Sequence, residues 1–132
     1  MDILKLLVCI VLSILVDIPY LYINLDLYKK KILDISGKGY PKNRYYSAFI
    51  VYIAIALGII VFVLPKIDTT KTTEIRLRDS LIYGGLFGVV SYALFDFTNH
   101  FIFEKWDIYV SLMDSIWGGL LCFIVSFIMS YY

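Results

Sequence analysis

The sequence has few charged residues and few cysteines, and both shortages limit what the protein can be. Only 17% of its 132 residues are charged, and twelve basic residues nearly cancel eleven acidic ones to leave a formal charge of +1. Nucleic acid binding needs a concentrated basic surface, so nucleic acid is not expected as a partner. The two cysteines, Cys9 and Cys122, both lie inside apolar segments, where a thiol is a good packing residue.

The motifs of the common cofactors are also missing. The chain contains no Cys-x-x-Cys pair, no phosphate-binding glycine loop, no dinucleotide-binding fingerprint and no Asn-x-Ser/Thr acceptor. It also lacks a clustered aspartate motif of the DDxxD type, which argues against an enzyme of prenyl substrates. We therefore expect no cofactor and no metal, and the sequence identifies no catalytic residue.

Hydrophobic side chains are what the sequence has in excess. They make up 61% of the chain, well above the roughly half-apolar composition of soluble domains. Four apolar segments, at about residues 3–24, 45–64, 80–103 and 108–131, are each long enough to cross a bilayer. The pattern predicts an all-α, polytopic membrane protein, a four-transmembrane-helix bundle in which residues 1–132 form a single transmembrane domain. The polar segment from Leu25 to Arg44, with breakers Gly37, Gly39 and Pro41, is predicted to be the longest loop.

Three aspartates lie inside the predicted spans. At 1.5 Å per residue, Asp17 lies about 21 Å along the first span, Asp96 about 24 Å along the third and Asp114 only about 9 Å into the fourth. The first and third spans run parallel to each other, and the fourth runs in the opposite direction. All three carboxyl groups are therefore expected in the same leaflet.

Other polar side chains accompany these acids. On the third span, Tyr92, Asp96, Asn99 and His100 follow helical spacing and share one face. Ionisable groups in a membrane are candidates for ion, proton or ligand sites, although polar contacts can also simply hold helices together. The predicted ligand or proton site comprises Asp17, Asp96, Asn99, Asp114, Trp117, Tyr92 and His100.

Repulsion between the carboxylates predicts that at least one of them is protonated at neutral pH. Asp96 is the first choice, and the protonated acid is expected to be hydrogen-bonded to another member of the cluster, with Asn99 or Tyr92 as a neighbour. On this view Asp96→Asn is tolerated, whereas Asp96→Leu destabilises the bundle by leaving partners unpaired.

Small residues mark a second face of the third span. Gly84 and Gly88 have the spacing that lets helix backbones approach closely, and Gly118 offers the same on the fourth span. We predict that these glycines serve helix packing. The same glycine face could also carry a homo-oligomer contact.

Several strings in the second half follow a pattern. They are GGLFG at Gly84 to Gly88, SYALFDFTN at Ser91 to Asn99, Trp106, and MDSIWG at Met113 to Gly118. Their order and spacing resemble the YxxxDxTN, W and DxxWG pattern of a bacterial integral-membrane family catalogued as domain of unknown function 2177. The resemblance supports a membrane fold, and it implies that Asp96, Thr98, Asn99, Trp106, Asp114, Trp117 and Gly118 belong to the family's shared pattern. It implies no activity and no substrate.

Three classes of function agree with this sequence. The favoured one is a small transport or ligand-binding protein in the lipid bilayer, with an intramembrane Asp/Asn pocket that opens to one membrane face and takes a small solute, a lipid or a proton. The second is a membrane-embedded enzyme acting on lipid or prenyl substrates. The third is a structural or assembly factor, for which the glycines would matter more than the acids.

Overall fold

The computed structural model describes all 132 residues and consists of five helices joined by short connections, with no strand. The helices are α1 (Ile3–Ile23), α2 (Leu25–Ser36), α3 (Lys42–Lys66), α4 (Thr73–Ile102) and α5 (Ile108–Met129). All except α2 are long and apolar enough to cross a membrane. The prediction of an all-α protein with four transmembrane helices is confirmed.

Helix α2 corrects the prediction of a loop from Leu25 to Arg44. Its first twelve residues are helical, and the helix ends at Gly37, whose φ of 70° is readily adopted only by glycine. Tyr28, Ile32 and Ile35 follow helical spacing and are half-buried, whereas Lys29 and Lys30 are exposed. The lysines had suggested a solvated loop, but the segment is an amphipathic helix at one end of the bundle.

Helix α5 lies at the centre of the bundle. Half of its most apolar window is buried, compared with 22–28% for the other three long helices. It packs against α1, α3 and α4, and its residues Leu121, Cys122, Val125 and Met129 form the apolar core together with residues of α1 and α3. Both cysteines are free and fully buried in this core.

Helices α3 and α4 each contain one wide, π-helical turn, at Ile59–Val63 and Ser80–Gly84. The main backbone contact between the two helices is made at these turns. Because both turns lie towards the end of the bundle that carries the chain termini, the rest of α3 and α4 is free to diverge towards the other end.

Glycines allow α4 and α5 to touch along their backbones. A Cβ atom added to Gly88 would overlap the carbonyl group of Gly118, and one added to Gly84 would overlap Ser126 and the carbonyl group of Cys122. The glycine face is therefore filled by α5 of the same chain. The homo-oligomer contact suggested for this face stays a prediction, and it would require a second copy to replace α5.

We expect Gly88→Ala to destabilise the bundle by about 1–3 kcal/mol, because the methyl group meets rigid backbone that can move away only by separating the helices. Gly39→Ala is the matched control, since an added Cβ at Gly39 has no neighbour within 4 Å. Thermal unfolding in detergent measures both variants. Equal unfolding temperatures would show that α4 and α5 do not pack through their glycines.

Candidate functional site

Asp17 joins three helices in the half of the bundle that faces α2. Its side chain is only 5% exposed on α1. One carboxylate oxygen accepts a hydrogen bond from the Tyr52 hydroxyl of α3 at 2.6 Å, and the other accepts one from Trp117 Nε1 of α5 at 2.7 Å. The carboxyl group is thus held by two neutral donors on two different helices.

Asp114 of α5 is held in the same way. Its Oδ1 accepts a hydrogen bond from the Tyr20 hydroxyl of α1 at 2.5 Å and another from the Tyr28 hydroxyl of α2. The Tyr20 ring stacks on Trp117, with centroids 4.7 Å apart and planes at 5°. Tyr20 and Trp117 therefore connect the two aspartates into one cluster.

Asp96 of α4 lies beside Asp114 but is held differently. It is 0% exposed, and no N–H or O–H group of the protein donates to either of its carboxyl oxygens. The polar groups beside it are the Asp114 carboxyl and the Trp106 indole. The nearby Ser111 hydroxyl accepts from Trp106 Nε1 at 3.2 Å and donates to the main-chain carbonyl of Asp96 at 3.1 Å, not to its side chain. Asp17, Asp96 and Asp114, with Tyr20, Tyr28, Tyr52 and Trp117, are called the acidic cluster below.

The other predicted site residues are placed less centrally. Asn99 is half-buried and makes no side-chain hydrogen bond, and His100 is exposed, with Nδ1 2.7 Å from the main-chain oxygen of Trp106. The Tyr92 ring packs against Gly118. Neither Asn99 nor Tyr92, the neighbours predicted for Asp96, donates to its carboxyl group. Asn99 and His100 belong to the last turns of α4 and lie at the α4–α5 connection.

Three tyrosines of the cluster were missed by the sequence analysis. Tyr20 follows Asp17 by one helical turn, and Tyr52 is a polar group within a span without charges, so the positions of both indicated a possible role beside the acids. The chain contains 12 tyrosines, however, and the sequence did not distinguish these two from the others. Tyr28 was assigned to a loop and could not be placed.

The cluster does not form the open pocket that the sequence suggested. All three aspartates are at most 6% exposed, and Tyr28 of α2 reaches Asp114 from the end at which an opening was expected. Helix α2 is fastened there by Lys31 Nζ, 2.5 Å from Asp107 Oδ2, and by Lys105 Nζ, 3.2 Å from the main-chain oxygen of Asp34. Helix α2 therefore covers the cluster.

The fastening of α2 depends on the charge of Asp107. The hydrogen bond from Lys31, together with that from the Val110 amide, holds the pKa of the Asp107 carboxyl below its ordinary value. A depressed pKa means that the ion pair is fully formed above the ordinary pKa of an aspartate and is lost as the pH falls through the lowered value. Because the Asp107 side chain is 43% exposed, solvent screens this contact.

The donor set indicates which ligands the cluster can take. No three His, Cys, Asp or Glu side chains lie close enough together to hold a metal ion. Every hydrogen bond to the carboxyl groups of Asp17 and Asp114 comes from a neutral Tyr or Trp. The cluster therefore offers uncompensated negative charge, which suits a proton or an ammonium group.

These contacts reverse the expectation for Asp96→Leu. We expect Asp17→Leu to lower stability by about 1–3 kcal/mol for each buried donor left unpaired, here Tyr52 and Trp117. Asp96→Leu removes a buried carboxyl group to which no protein group donates, so the stability of this variant should equal or exceed that of the parent protein. Thermal unfolding of both variants in one detergent compares them directly, and equal losses would contradict the arrangement.

The chain was also compared with known proteins. A family model described as "Predicted membrane protein (DUF2177)" matches residues 3–131, a range that includes every member of the acidic cluster. No curated protein and no solved structure matches the chain. The resemblance seen in its second half is thus confirmed over nearly its whole length, and the chain belongs to this family of predicted membrane proteins.

Proposed function

We propose that the chain is a small transport or ligand-binding protein whose acidic cluster binds a cation, with a proton as the simplest case. The support is the burial of three carboxyl groups from α1, α4 and α5, of which Asp96 and Asp114 are neighbours and Asp17 is linked to Asp114 through Trp117 and Tyr20. No Lys or Arg forms an ion pair with any of the three. A purely structural network would be expected to satisfy all its members.

The observation that carries the proposal is the carboxyl group of Asp96, which is fully buried, accepts no hydrogen bond from a donor of the protein and lies beside the Asp114 carboxyl. An ionised carboxylate in such a place is very costly, and the neighbouring Asp114 carboxyl would add repulsion. Asp96 is therefore expected to carry a proton while the cluster is closed. Exchange of that proton for another cation would couple occupancy of the site to pH.

An enzyme acting on lipid or prenyl substrates is the competing proposal. It would use the same carboxyl groups as general acid and base. The enclosure of all three acids favours binding, because a large substrate would have to displace α2 or separate helices to reach them. The two functions differ in whether a lipid is chemically changed when it is incubated with the reconstituted protein.

Trp117 provides a reporter for the binding proposal. The chain has two tryptophans, so Trp106→Phe leaves Trp117 as the single emitter, and its Nε1 already donates to Asp17. We expect its fluorescence to titrate with pH in nanodiscs, because the charge of the surrounding carboxyl groups changes. Adding Asp96→Asn and Asp114→Asn to the Trp106→Phe variant should abolish the pH dependence of Trp117 fluorescence or move it to a different pH.

Asp26→Asn in the same background is the control, since Asp26 is exposed on α2 and outside the cluster. It should titrate like its parent. A double variant that titrates like the parent would refute proton binding by Asp96 and Asp114. Proton uptake into proteoliposomes after an acid pulse then separates a transporter, which admits protons, from a binding protein, which does not.

A further inference from the structure

A groove runs between α3 and α4 on the lipid-facing side of the bundle. It has a volume of about 420 Å³ and is lined by Val51, Ala54, Ile55, Phe87, Ser91, Tyr92 and Phe95. This volume falls within the range of small-molecule sites. The groove lies where α3 and α4 diverge beyond their π-helical turns.

The lining of the groove selects an apolar occupant. Its one hydroxyl apart from Tyr92 belongs to Ser91, which donates to the main-chain oxygen of Phe87 at 2.7 Å and is therefore satisfied. Val51 and Phe95 on opposite walls are 55% and 61% exposed, so the groove opens sideways towards lipid. Such a surface suits an alkyl chain that enters from the bilayer.

The inner side of the groove adjoins the acidic cluster. Tyr92 lines the groove with one part of its ring and packs against Gly118 of α5 with another. Its hydroxyl makes no hydrogen bond, and Trp117, next to Gly118 in the chain, donates to Asp17. Tyr52, next to Val51 in the chain, donates to the same Asp17. A chain in the groove would thus have its polar end near Asp17.

The charge of the acidic cluster determines which polar head group an amphiphile in the groove can carry. Asp17, Asp96 and Asp114 are acidic and have no basic partner, so a cationic head is attracted and an anionic head is repelled. The free hydroxyl of Tyr92 adds a hydrogen-bonding group at the junction between the groove and the cluster.

We propose that the groove between α3 and α4 is the lateral entrance of the site and binds a long-chain amphiphile with a cationic amine head. The alkyl chain lies along Ala54 and Phe87, and the amine reaches Asp17. The inference rests on the proposed function, since it names the class of cation that the cluster takes and the route by which that cation arrives. It requires no movement of α2.

The other depressions lack this combination. One, about 500 Å³, is formed by residues of α4 alone, between Val90 and Phe101. The one on α1, between Leu7 and Leu15, is likewise formed by a single helix. A third has Lys5 and Arg76 in its lining, and these side chains would repel a cation. The α3–α4 groove differs from these three because its lining residue Tyr92 packs against Gly118, next to Trp117 of the acidic cluster.

The experiment uses the full chain with Trp106→Phe, reconstituted in vesicles of neutral phosphatidylcholine. Three probes with the same alkyl chain carry a nitroxide close to the head and end in an amine, an alcohol or a carboxylate. Nitroxides quench nearby tryptophan, so quenching of Trp117 reports a head at the cluster. We expect the amine to reach half-quenching at about tenfold lower membrane content than the carboxylate, a difference of about 1.4 kcal/mol, because the acids attract the amine and repel the carboxylate.

Substitutions assign the effect to the groove and to the charge. Ala54→Phe fills the groove and should abolish the preferential quenching, with Ala54→Leu as a milder filling. Val11→Phe is the matched control, because Val11 is a lipid-facing residue of α1 that is 54% exposed. Asp17→Asn removes the charge but keeps one acceptor oxygen for Trp117, and its amide NH2 can donate to the Tyr52 hydroxyl, so amine and alcohol should become equal.

The outcomes separate the two proposals. Equal quenching by the three probes, or quenching by the amine that survives both Ala54 substitutions, overturns the amphiphile site. If the pH titration of Trp117 persists in that case, the cation-binding function stands without the groove. If Trp117 fluorescence does not change with pH at all, the proposed cation-binding function is refuted.

Discussion

The structure depends on the burial of three carboxyl groups in a medium that solvates charge poorly. Water cannot stabilise them, and cationic partners would bring a second desolvation cost. The chain instead supplies aromatic donors to two of the acids, Tyr52 and Trp117 to Asp17, and Tyr20 and Tyr28 to Asp114. A Tyr or Trp can bury a large apolar ring and still present one polar tip, so these residues satisfy a carboxylate without adding charge.

This requirement fixes the arrangement of the helices around the cluster. The donors come from α1, α2, α3 and α5, so every element except α4 contributes a hydrogen bond to an acid on another element. Helix α4 contributes the remaining acid, Asp96, and packs against α5 through glycines, while Ser111 of α5 donates to the main-chain carbonyl of Asp96. The result is a bundle divided along its length, with an apolar core towards the termini and the acidic cluster towards α2.

The same division separates tightly packed regions from open ones. Near the π-helical turns, α3 and α4 touch and the core is closed. Towards α2 they diverge and leave the groove, while α2 covers the end of the bundle. The cluster is therefore covered at the α2 end by Tyr28, and the groove between α3 and α4 presents an apolar surface on the lipid side.

The sequence by itself determined the four membrane helices, because runs of about twenty apolar residues have few alternatives to spanning a bilayer. It also placed Asp17, Asp96 and Asp114 at a common depth, because helical rise is constant. Only the tertiary structure decided the partners of each acid. The depth of a residue does not determine the direction in which its side chain points around the helix axis. Tyr20, Tyr28 and Tyr52 therefore could not be selected as partners of the acids. For the same reason Asn99 and His100 were included in the predicted site, although their side chains contact no acid. The helical state of α2 and the filling of the glycine face also depend on packing against other helices, which local sequence does not encode.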